Sequence, residues 1–313
     1  MNRSSFLKVF LQFMKHKNLQ AAMLGRIFGL IIFLYPGINC YSQITKSKAM
    51  NHLIKMQSQV YGEGTPLVLV GGGLTGWKSW EPFVPIFTAK QRKVILVQLL
   101  NVQYGLEDRP LPKDYSVKTE SNALAETLDS LGLITPFDMV GWSYGAFTSL
   151  EYALDHPDRI RTLTLIEPPA MWILRQTGRF DTETQKTATF FQTFKGDITE
   201  DMLADFLVHA GLLPPGREPR ETPQWDNWVL YRQSLRNNPY VVSFDDTLSR
   251  LKKFQPPVLL VKGTGSTQWL HRVIDGLSKN LPHSKVVEFP GEHAPQIVSR
   301  DSFLEEWEKF QRQ

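Results

Sequence analysis

The chain has 313 residues, of which 42% are hydrophobic and 12% aromatic. A chain of this length and composition can bury a full core, which excludes a disordered or fibrous protein. The formal net charge of +4 arises in residues 1–42, which carry five basic side chains and no acidic one. Without those five, 30 of the 35 basic residues remain against 31 acidic residues. This near-balance gives no support to nucleic-acid binding.

The first 42 residues are predicted to be a signal peptide. Their basic start leads into nine uncharged residues, Ile27 to Tyr35, and then into a Pro36-Gly37 break. Cys40 and Ser42 follow as the small residues that precede a cleavage site. Nine residues are too few to span a bilayer, which takes about 20. The mature chain is therefore predicted to be exported, either periplasmic or secreted, and to have no stable membrane span.

Alternatives to a cleaved signal remain open at this stage. Cys40 is a candidate lipoprotein acceptor, although Asn39 stands where a small residue is usual, and an uncut N-terminal anchor is a further possibility. Met23 is a candidate start site. Cys40 is the only cysteine in the chain, so a chain cut after Ser42 has no disulfide and no thiol chemistry.

From about residue 57, short apolar runs alternate with longer amphipathic ones, which is typical of a mostly parallel sheet covered by helices, an α/β fold. The predicted strands cover residues 66–73, 92–100, 137–141, 159–167, 256–263 and 285–289. The strand rhythm stops between Glu167 and Phe254, where the chain looks helical and aromatic. We interpret residues 168–254 as a helical lid inserted into a core formed by residues 43–167 and 255–313.

The sequence "GWSYG", Gly141 to Gly145, matches the pattern G-x-S-x-G. An apolar strand precedes it and a predicted helix, from about Gly145 to Leu154, follows it, which is the strand-turn-helix setting of a nucleophile elbow. The glycines permit a sharp turn that exposes the hydroxyl of Ser143. Ser143 is therefore the candidate nucleophile.

The glycine loop "VGGGLTGWKS" raises a rival function. Gly71, Gly73 and Gly76 satisfy the dinucleotide-binding pattern G-x-G-x-x-G after a strand. The acid that would bind the ribose about 20 residues later is missing, since Gln98 and Leu99 stand there. This departure argues against a dinucleotide-binding oxidoreductase.

The same loop almost matches a phosphate-binding P-loop, but Trp77 intervenes before Lys78 and puts the lysine out of phase. The remaining interpretation is an oxyanion hole, in which main-chain N–H groups bind an acyl oxygen. Gly73 or Leu74 is the first candidate donor and Tyr144 the second. A plain tight turn is the alternative.

A serine needs a base at neutral pH, and histidine is the usual one because its pKa lies near 6.5. Among the seven histidines, His293 is placed best. It lies in "FPGEHAPQ", between the last predicted strand and the last predicted helix. His293 is therefore the candidate general base.

From about residue 57 to the end, the order of glycine loop, "GWSYG", "DHPDRIRTLTLIEPP", "PVLLVKG" and "PGEHAP" resembles the α/β-hydrolase superfamily of lidded bacterial esterases. The resemblance implies that Ser143 is the nucleophile, that His293 is the base, and that Tyr144 and Gly73 are the oxyanion donors. It also implies no metal and no cofactor.

The chain departs from the superfamily pattern in three places. The usual His-Gly of the oxyanion loop is Gly71-Gly72, and the usual loop after the next strand is replaced by "QLLNVQYGLEDRP". The common place for the triad acid, the turn after "PVLLVKG", has no carboxylate between Gly263 and Leu270.

Glu167 is the candidate acid because it ends the strand expected beside the nucleophile strand. The carboxyl ends of the strands are where catalytic groups gather in open α/β sheets. Asp275 lies inside a predicted helix, and Glu292 adjoins His293 too closely to fold back onto its ring. We expect the Glu167 carboxylate to lie about 2.6 to 3.2 Å from His293 Nδ1.

These residues predict a serine hydrolase that cleaves an ester, thioester or lactone through an acyl-serine intermediate. The aromatic residues Trp142, Trp172, Trp225 and Trp228 are candidate pocket residues, which favours a small apolar or aromatic substrate. Their alternative role is to hold the helical segment together. Cleavage of carbon–carbon bonds, acyl transfer and perhydrolysis use the same groups and stay open. A fold that only binds a small molecule is the non-catalytic alternative, and the oligomeric state is not predicted.

Export can be measured by sequencing the N-terminus of the protein made in a Gram-negative host. We expect the chain to begin at or near Gln43, because the small residues Cys40 and Ser42 fit the cleavage pattern. An intact Met1 start on protein recovered from the cytosol would contradict the signal peptide.

Overall fold

A computed structural model of the chain describes residues 54–214 and 216–312. The predicted signal peptide and residues 43–53 of the predicted core lie outside these ranges. None of the helices within the ranges combines the length and hydropathy needed to cross a membrane.

The described residues form one seven-stranded sheet. Its strands are β1 (Ser58–Tyr61), β2 (Thr65–Val70), β3 (Arg92–Val97), β4 (Phe137–Trp142), β5 (Ile160–Ile166), β6 (Val258–Gly263) and β7 (Ser284–Phe289). Their order across the sheet is β1-β3-β2-β4-β5-β6-β7. Only β1 is antiparallel to its neighbour. The predicted α/β fold with a mostly parallel sheet is confirmed, and β1 is an additional edge strand.

The central strands are recognisable in the sequence because both of their faces are covered. Every residue of β4 is buried, and β2 is buried from Leu67 to Val70. A strand buried on both faces appears as a continuous apolar run, which is the pattern of a parallel sheet. The β1 strand is half exposed, so it lacks this signal.

Helices connect the strands on both sides of the sheet. They are α1 (Val84–Ala89), α2 (Leu100–Leu106), α3 (Val117–Ser130), α4 (Tyr144–Asp155), α5 (Met171–Gln176), α6 (Thr182–Phe191), α7 (Glu200–His209), α8 (Trp225–Tyr231), α9 (Asn238–Ser243), α10 (Leu248–Lys253), α11 (Gln268–Asn280), α12 (Pro295–Val298) and α13 (Arg300–Gln311). Short 3-10 helices lie at Trp77–Ser79, Glu81–Phe83, Pro157–Arg159, Pro219–Glu221 and Arg232–Asn237.

Each face of the sheet has its own apolar cluster. Phe87, Phe303 and Trp307 belong to the cluster under α1 and α13. The larger cluster, on the other face, continues from α3 and α4 into the helices between β5 and β6. These helices, α5 to α10, are called the helical segment below; they lie within the predicted lid. Phe194, Leu203 and Leu207 of the helical segment are buried in the larger cluster, so the segment is packed onto the core.

One close approach fixes α4 against the end of β2. A Cβ atom at Gly145 would lie 2.1 Å from the carbonyl oxygen of Gly71 and 2.5 Å from that of Val70. Such distances are too short for any side chain, so Gly145 lets the first turn of α4 touch the glycine loop. The loop and the start of α4 therefore share one small region at the carboxyl edge of the sheet.

Candidate active site

Ser143 occupies a strained turn between β4 and α4. Its φ of 55° and ψ of −124° are uncommon for a residue with a side chain and cost about 1–3 kcal/mol. Ser143 N–H donates to the Ile166 carbonyl at 2.8 Å, and the Ser143 carbonyl accepts from Phe147 N–H at 3.0 Å. These bonds hold the main chain in the turn that the G-x-S-x-G pattern predicted.

His293 lies between β7 and α12, and its ring bonds to two of the predicted site residues. Nε2 is 2.8 Å from Ser143 Oγ, and Nδ1 is 2.7 Å from Glu167 Oε2. A carboxylate only accepts hydrogen bonds, so Nδ1 carries the proton and Nε2 accepts from the serine hydroxyl. The main chain of His293 is also held, because its N–H donates to Gly211 and its carbonyl accepts from Trp142 Nε1 at 2.6 Å.

Glu167 ends β5 in the left-handed region, with a φ of 45°, and it has no exposed surface. Its Oε1 accepts from Gly263 N–H at 2.8 Å, and its Oε2 accepts from Ser266 Oγ at 2.7 Å as well as from His293. Hydrogen bonds to an ionised carboxylate are the strong ones, worth about 1.5–3 kcal/mol each. The Glu167–His293 distance of 2.7 Å lies inside the predicted range.

The turn after β6 explains why a strand ends on Glu167. This turn lacks a carboxylate, but its Ser266 hydroxyl and Gly263 N–H both donate to the carboxylate of Glu167. The alternative acid Asp275 lies elsewhere: its side chain is 45% exposed and lies 3.8 Å from the Nζ of Lys262. Ser266 was not predicted from the sequence. A serine in this turn has a recognisable role only once Glu167 is known to be the acid that its hydroxyl binds.

The three predicted oxyanion donors line the same cavity as Ser143. Tyr144 is the first residue of α4, so its N–H has no partner within the helix. Among the main-chain hydrogen bonds of the part that the structure describes, none uses the N–H of Gly73, Leu74 or Tyr144. Free N–H groups beside a serine hydroxyl can bind an oxygen that becomes negative.

A small cavity of about 60 Å³ opens above Ser143 and His293. Trp142 and Trp228 line it, as predicted from the sequence. Trp172 is fully buried in the larger apolar cluster, and Trp225 lies half-buried with Arg220 stacked on its ring, so neither lines the cavity. The prediction for these two residues was wrong, because the sequence does not tell which face of a lid helix turns toward the site.

A family model described as alpha/beta hydrolase fold matches residues 65–299 of the chain. The chain belongs to the α/β-hydrolase family. The family match starts at β2 and ends just before α13, so it includes every residue of the hydrogen-bond chain from Ser143 to Glu167.

The chain is similar to proteins that carry several different names. A 2-hydroxy-6-oxo-2,4-heptadienoate hydrolase of Pseudomonas putida is 37% identical over 108 residues, which cover 34% of this chain and 38% of that protein. The chain thus matches less than two fifths of the length of the first of these relatives. A pimeloyl-[acyl-carrier protein] methyl ester esterase of Aliivibrio salmonicida is 24% identical over 80% of this chain and 94% of its own.

The fold itself is similar to that of a solved esterase from Exiguobacterium antarcticum. The two superpose with a TM-score of 0.68 at 18% identity, covering 82% of this chain and 96% of that one. At this identity the likeness concerns the fold alone.

The loop that departs from the superfamily pattern forms a second hydrogen-bonded centre behind the glycine loop. Glu120 accepts from the N–H groups of Leu100 and Asn101 at 2.8 Å each. The Asn101 side chain then donates to the carbonyl oxygens of Gly73 at 2.7 Å and Ser234 at 2.9 Å. Asn101 therefore joins the glycine loop to the helical segment, a role that no sequence pattern indicated.

Two tyrosines extend this centre to the nucleophile turn. The Tyr115 hydroxyl bonds to Glu120 Oε1 and lies 2.9 Å from the Tyr144 hydroxyl. Burial raises the pKa of Glu120 from its ordinary 4.5 to about 7, and this effect outweighs the three hydrogen bonds that favour the ionised form. Burial likewise raises the pKa of Tyr144 well above 10, so its hydroxyl stays neutral.

The raised pKa of Glu120 predicts a pH-dependent contribution to stability. The folded state holds this proton more tightly than the unfolded chain, so the contribution is complete below about pH 4.5 and is lost as the pH rises through about 7. We expect the difference in free energy of unfolding between the wild type and Glu120→Gln to fall over this range, as measured by urea unfolding.

The measurement compares the free energies of unfolding of the wild type and Glu120→Gln, because burial also raises the pKa of a second carboxyl group, Glu151, to about 7. Glu151 adds the same slope to both proteins and cancels. A difference that stays constant, or that widens toward neutral pH, would contradict the raised pKa of Glu120.

Proposed function

We propose that this protein is a serine hydrolase that cleaves an ester, thioester or lactone of a small uncharged substrate through an acyl-serine intermediate. The observation that carries the proposal is the unbroken hydrogen-bond chain from Ser143 Oγ through the His293 ring to Glu167, with both distances at 2.7–2.8 Å. Nucleophile, base and orienting acid are the parts that such catalysis needs.

In the first half of the reaction, Ser143 Oγ attacks the substrate carbonyl carbon while His293 Nε2 takes the hydroxyl proton. The carbonyl oxygen becomes negative and is bound by the N–H of Tyr144 and of Gly73 or Leu74. The bond from the carbonyl carbon to the leaving oxygen or sulfur then breaks, and His293 Nε2 gives its proton to the leaving group.

In the second half, water attacks the acyl-serine and gives a proton to His293 Nε2. The bond to Ser143 Oγ breaks, the acid product leaves, and the serine recovers its proton from His293. Throughout, the buried Glu167 carboxylate accepts from the Nδ1 proton, which fixes the ring and stabilises the imidazolium that forms twice per cycle.

The lining of the cavity favours an uncharged substrate. No lysine, arginine, aspartate or glutamate is among the described residues that line it, and most of the lining is apolar. A charged group placed there would lose its hydration without gaining an ion-pair partner, which is costly.

Carbon–carbon bond cleavage is the second candidate, because the Pseudomonas putida relative is named for a heptadienoate substrate. A dienoate carries a carboxylate. The cavity above Ser143 has no lysine or arginine side chain that could bind such a carboxylate. The hypothesis of ester, thioester or lactone hydrolysis is therefore favoured over carbon–carbon bond cleavage.

A fluorophosphonate probe tests the proposed function directly, because it reacts only with a serine that a base activates. We expect the wild type to be labelled at Ser143 and the variant Ser143→Ala to remain unlabelled. Folded protein that is not labelled and hydrolyses no chromogenic ester would instead favour a non-catalytic binding protein.

Glu167→Gln should lower kcat for a chromogenic ester by about 10³- to 10⁴-fold, as removal of the acid does in serine-protease triads. A glutamine presents one acceptor and one donor group, so it no longer holds the His293 tautomer reliably. The matched control is Asp275→Asn, which removes a carboxylate that contacts Lys262 away from the site. The assignment of Glu167 fails if its variant turns over normally while Asp275→Asn is inactive.

A further inference from the structure

Three buried polar atoms in the wall of the cavity above Ser143 have no hydrogen-bond partner within the described residues. They are Asn237 Oδ1, Asn238 Nδ2 and Trp269 Nε1. The three residues are only 2%, 6% and 2% exposed, and all line the cavity. Buried polar groups in folded proteins are almost always hydrogen-bonded. Sixteen other buried polar atoms of the described residues also lack a partner, but these three belong to residues around one cavity, where a ligand can supply the missing partners.

The two ends of the Asn237 amide have different surroundings. Its Nδ2 lies 3.2 Å from the place that a Cβ atom at Gly73 would take, whereas no described residue donates to its Oδ1. Its Oδ1 is left as an acceptor beside the cavity, and the neighbouring Asn238 Nδ2 is a donor.

A hydroxyl group is the simplest partner for this pair, because it donates one hydrogen bond and accepts others. It can donate to Asn237 Oδ1 and accept from Asn238 Nδ2. A carboxylate has no proton to donate and meets no cation in the cavity.

The position of Asn237 indicates which part of the substrate carries the hydroxyl. Asn237 Nδ2 lies 3.2 Å from the place that a Cβ atom at Gly73 would take, next to the proposed oxyanion donors. The leaving group must face His293 Nε2 to receive its proton. A group beside Gly73 and Tyr144 therefore belongs to the acyl part of the substrate.

The size of the cavity limits that acyl part. Its volume of about 60 Å³ is small, which favours a short acyl group. The geometry points to a short, uncharged acyl group with a hydroxyl substituent that Asn237 and Asn238 bind. This inference rests on the proposed serine hydrolase function and names its substrate class.

The test compares p-nitrophenyl butyrate with its 2-hydroxy and 3-hydroxy derivatives, each rate being corrected for the ester's own hydrolysis by hydroxide. We expect kcat/KM of the wild type to be at least about tenfold higher for one of the hydroxy esters, because the unsubstituted ester leaves buried polar groups unpaired. In Asn237→Leu, which cannot accept from the hydroxyl, the ratio should fall to about one.

The matched control is Asn280→Leu, which removes an asparagine on α11 that bonds to Gly276 in its own helix. It should keep the wild-type ratio. If Asn237→Leu does not fold, Asn238→Leu replaces it. The ratio of kcat/KM for the hydroxy ester to that for the unsubstituted ester should then be high in the wild type and fall in Asn238→Leu.

Equal corrected rates for all three esters would overturn the inference and leave the proposed function standing. A preference seen only when the hydroxyl is on the alcohol part, as in 2-hydroxyethyl butyrate against propyl butyrate, would overturn it too. Absence of both ester hydrolysis and fluorophosphonate labelling would instead mean that the proposed function has failed.

Discussion

The carboxylate of Glu167 has no contact with solvent, so the chain around it must supply every hydrogen bond that water would otherwise provide. An unpaired ionised carboxylate in an apolar interior is costly enough to prevent folding to this arrangement. The structure meets this demand with Gly263 N–H, the Ser266 hydroxyl and the ring of His293. The ends of β5, β6 and β7 are thereby tied to one side chain, and the position of His293 beside Ser143 follows from it.

Much of the fold could be predicted because burial leaves a clear sequence pattern. The strands β2 to β7 appear as apolar runs. Ser143 and Glu167 stand directly after two of them, and His293 follows β7 after three residues, so the sheet topology gathers all three at one edge. The edge strand β1 could not be recognised, since its last two residues are exposed and its run is only four residues long.

The residues that were missed share a physical reason. Ser266 and Asn101 are small polar side chains whose partners lie far away in sequence, so their roles exist only after the chain has folded. For example, 99 residues separate Ser266 from Glu167, and 133 separate Asn101 from Ser234. The orientation of the helical segment could not be predicted either, because its helices have apolar residues on more than one face. Packing alone decides that Trp172 turns inward while Trp228 lines the cavity.

The bridge made by Asn101 fixes one end of the helical segment against the glycine loop. Asn101 holds Gly73 and Ser234 together, and a Cβ atom at Gly105 would lie only 2.5 Å from Ser234 N. Moving the Ser234 end of the helical segment outward would break the Asn101–Ser234 bond and the bond from Ser234 Oγ to the Leu74 carbonyl at 3.1 Å. The cavity wall on this side and the candidate oxyanion donors therefore keep their relative positions.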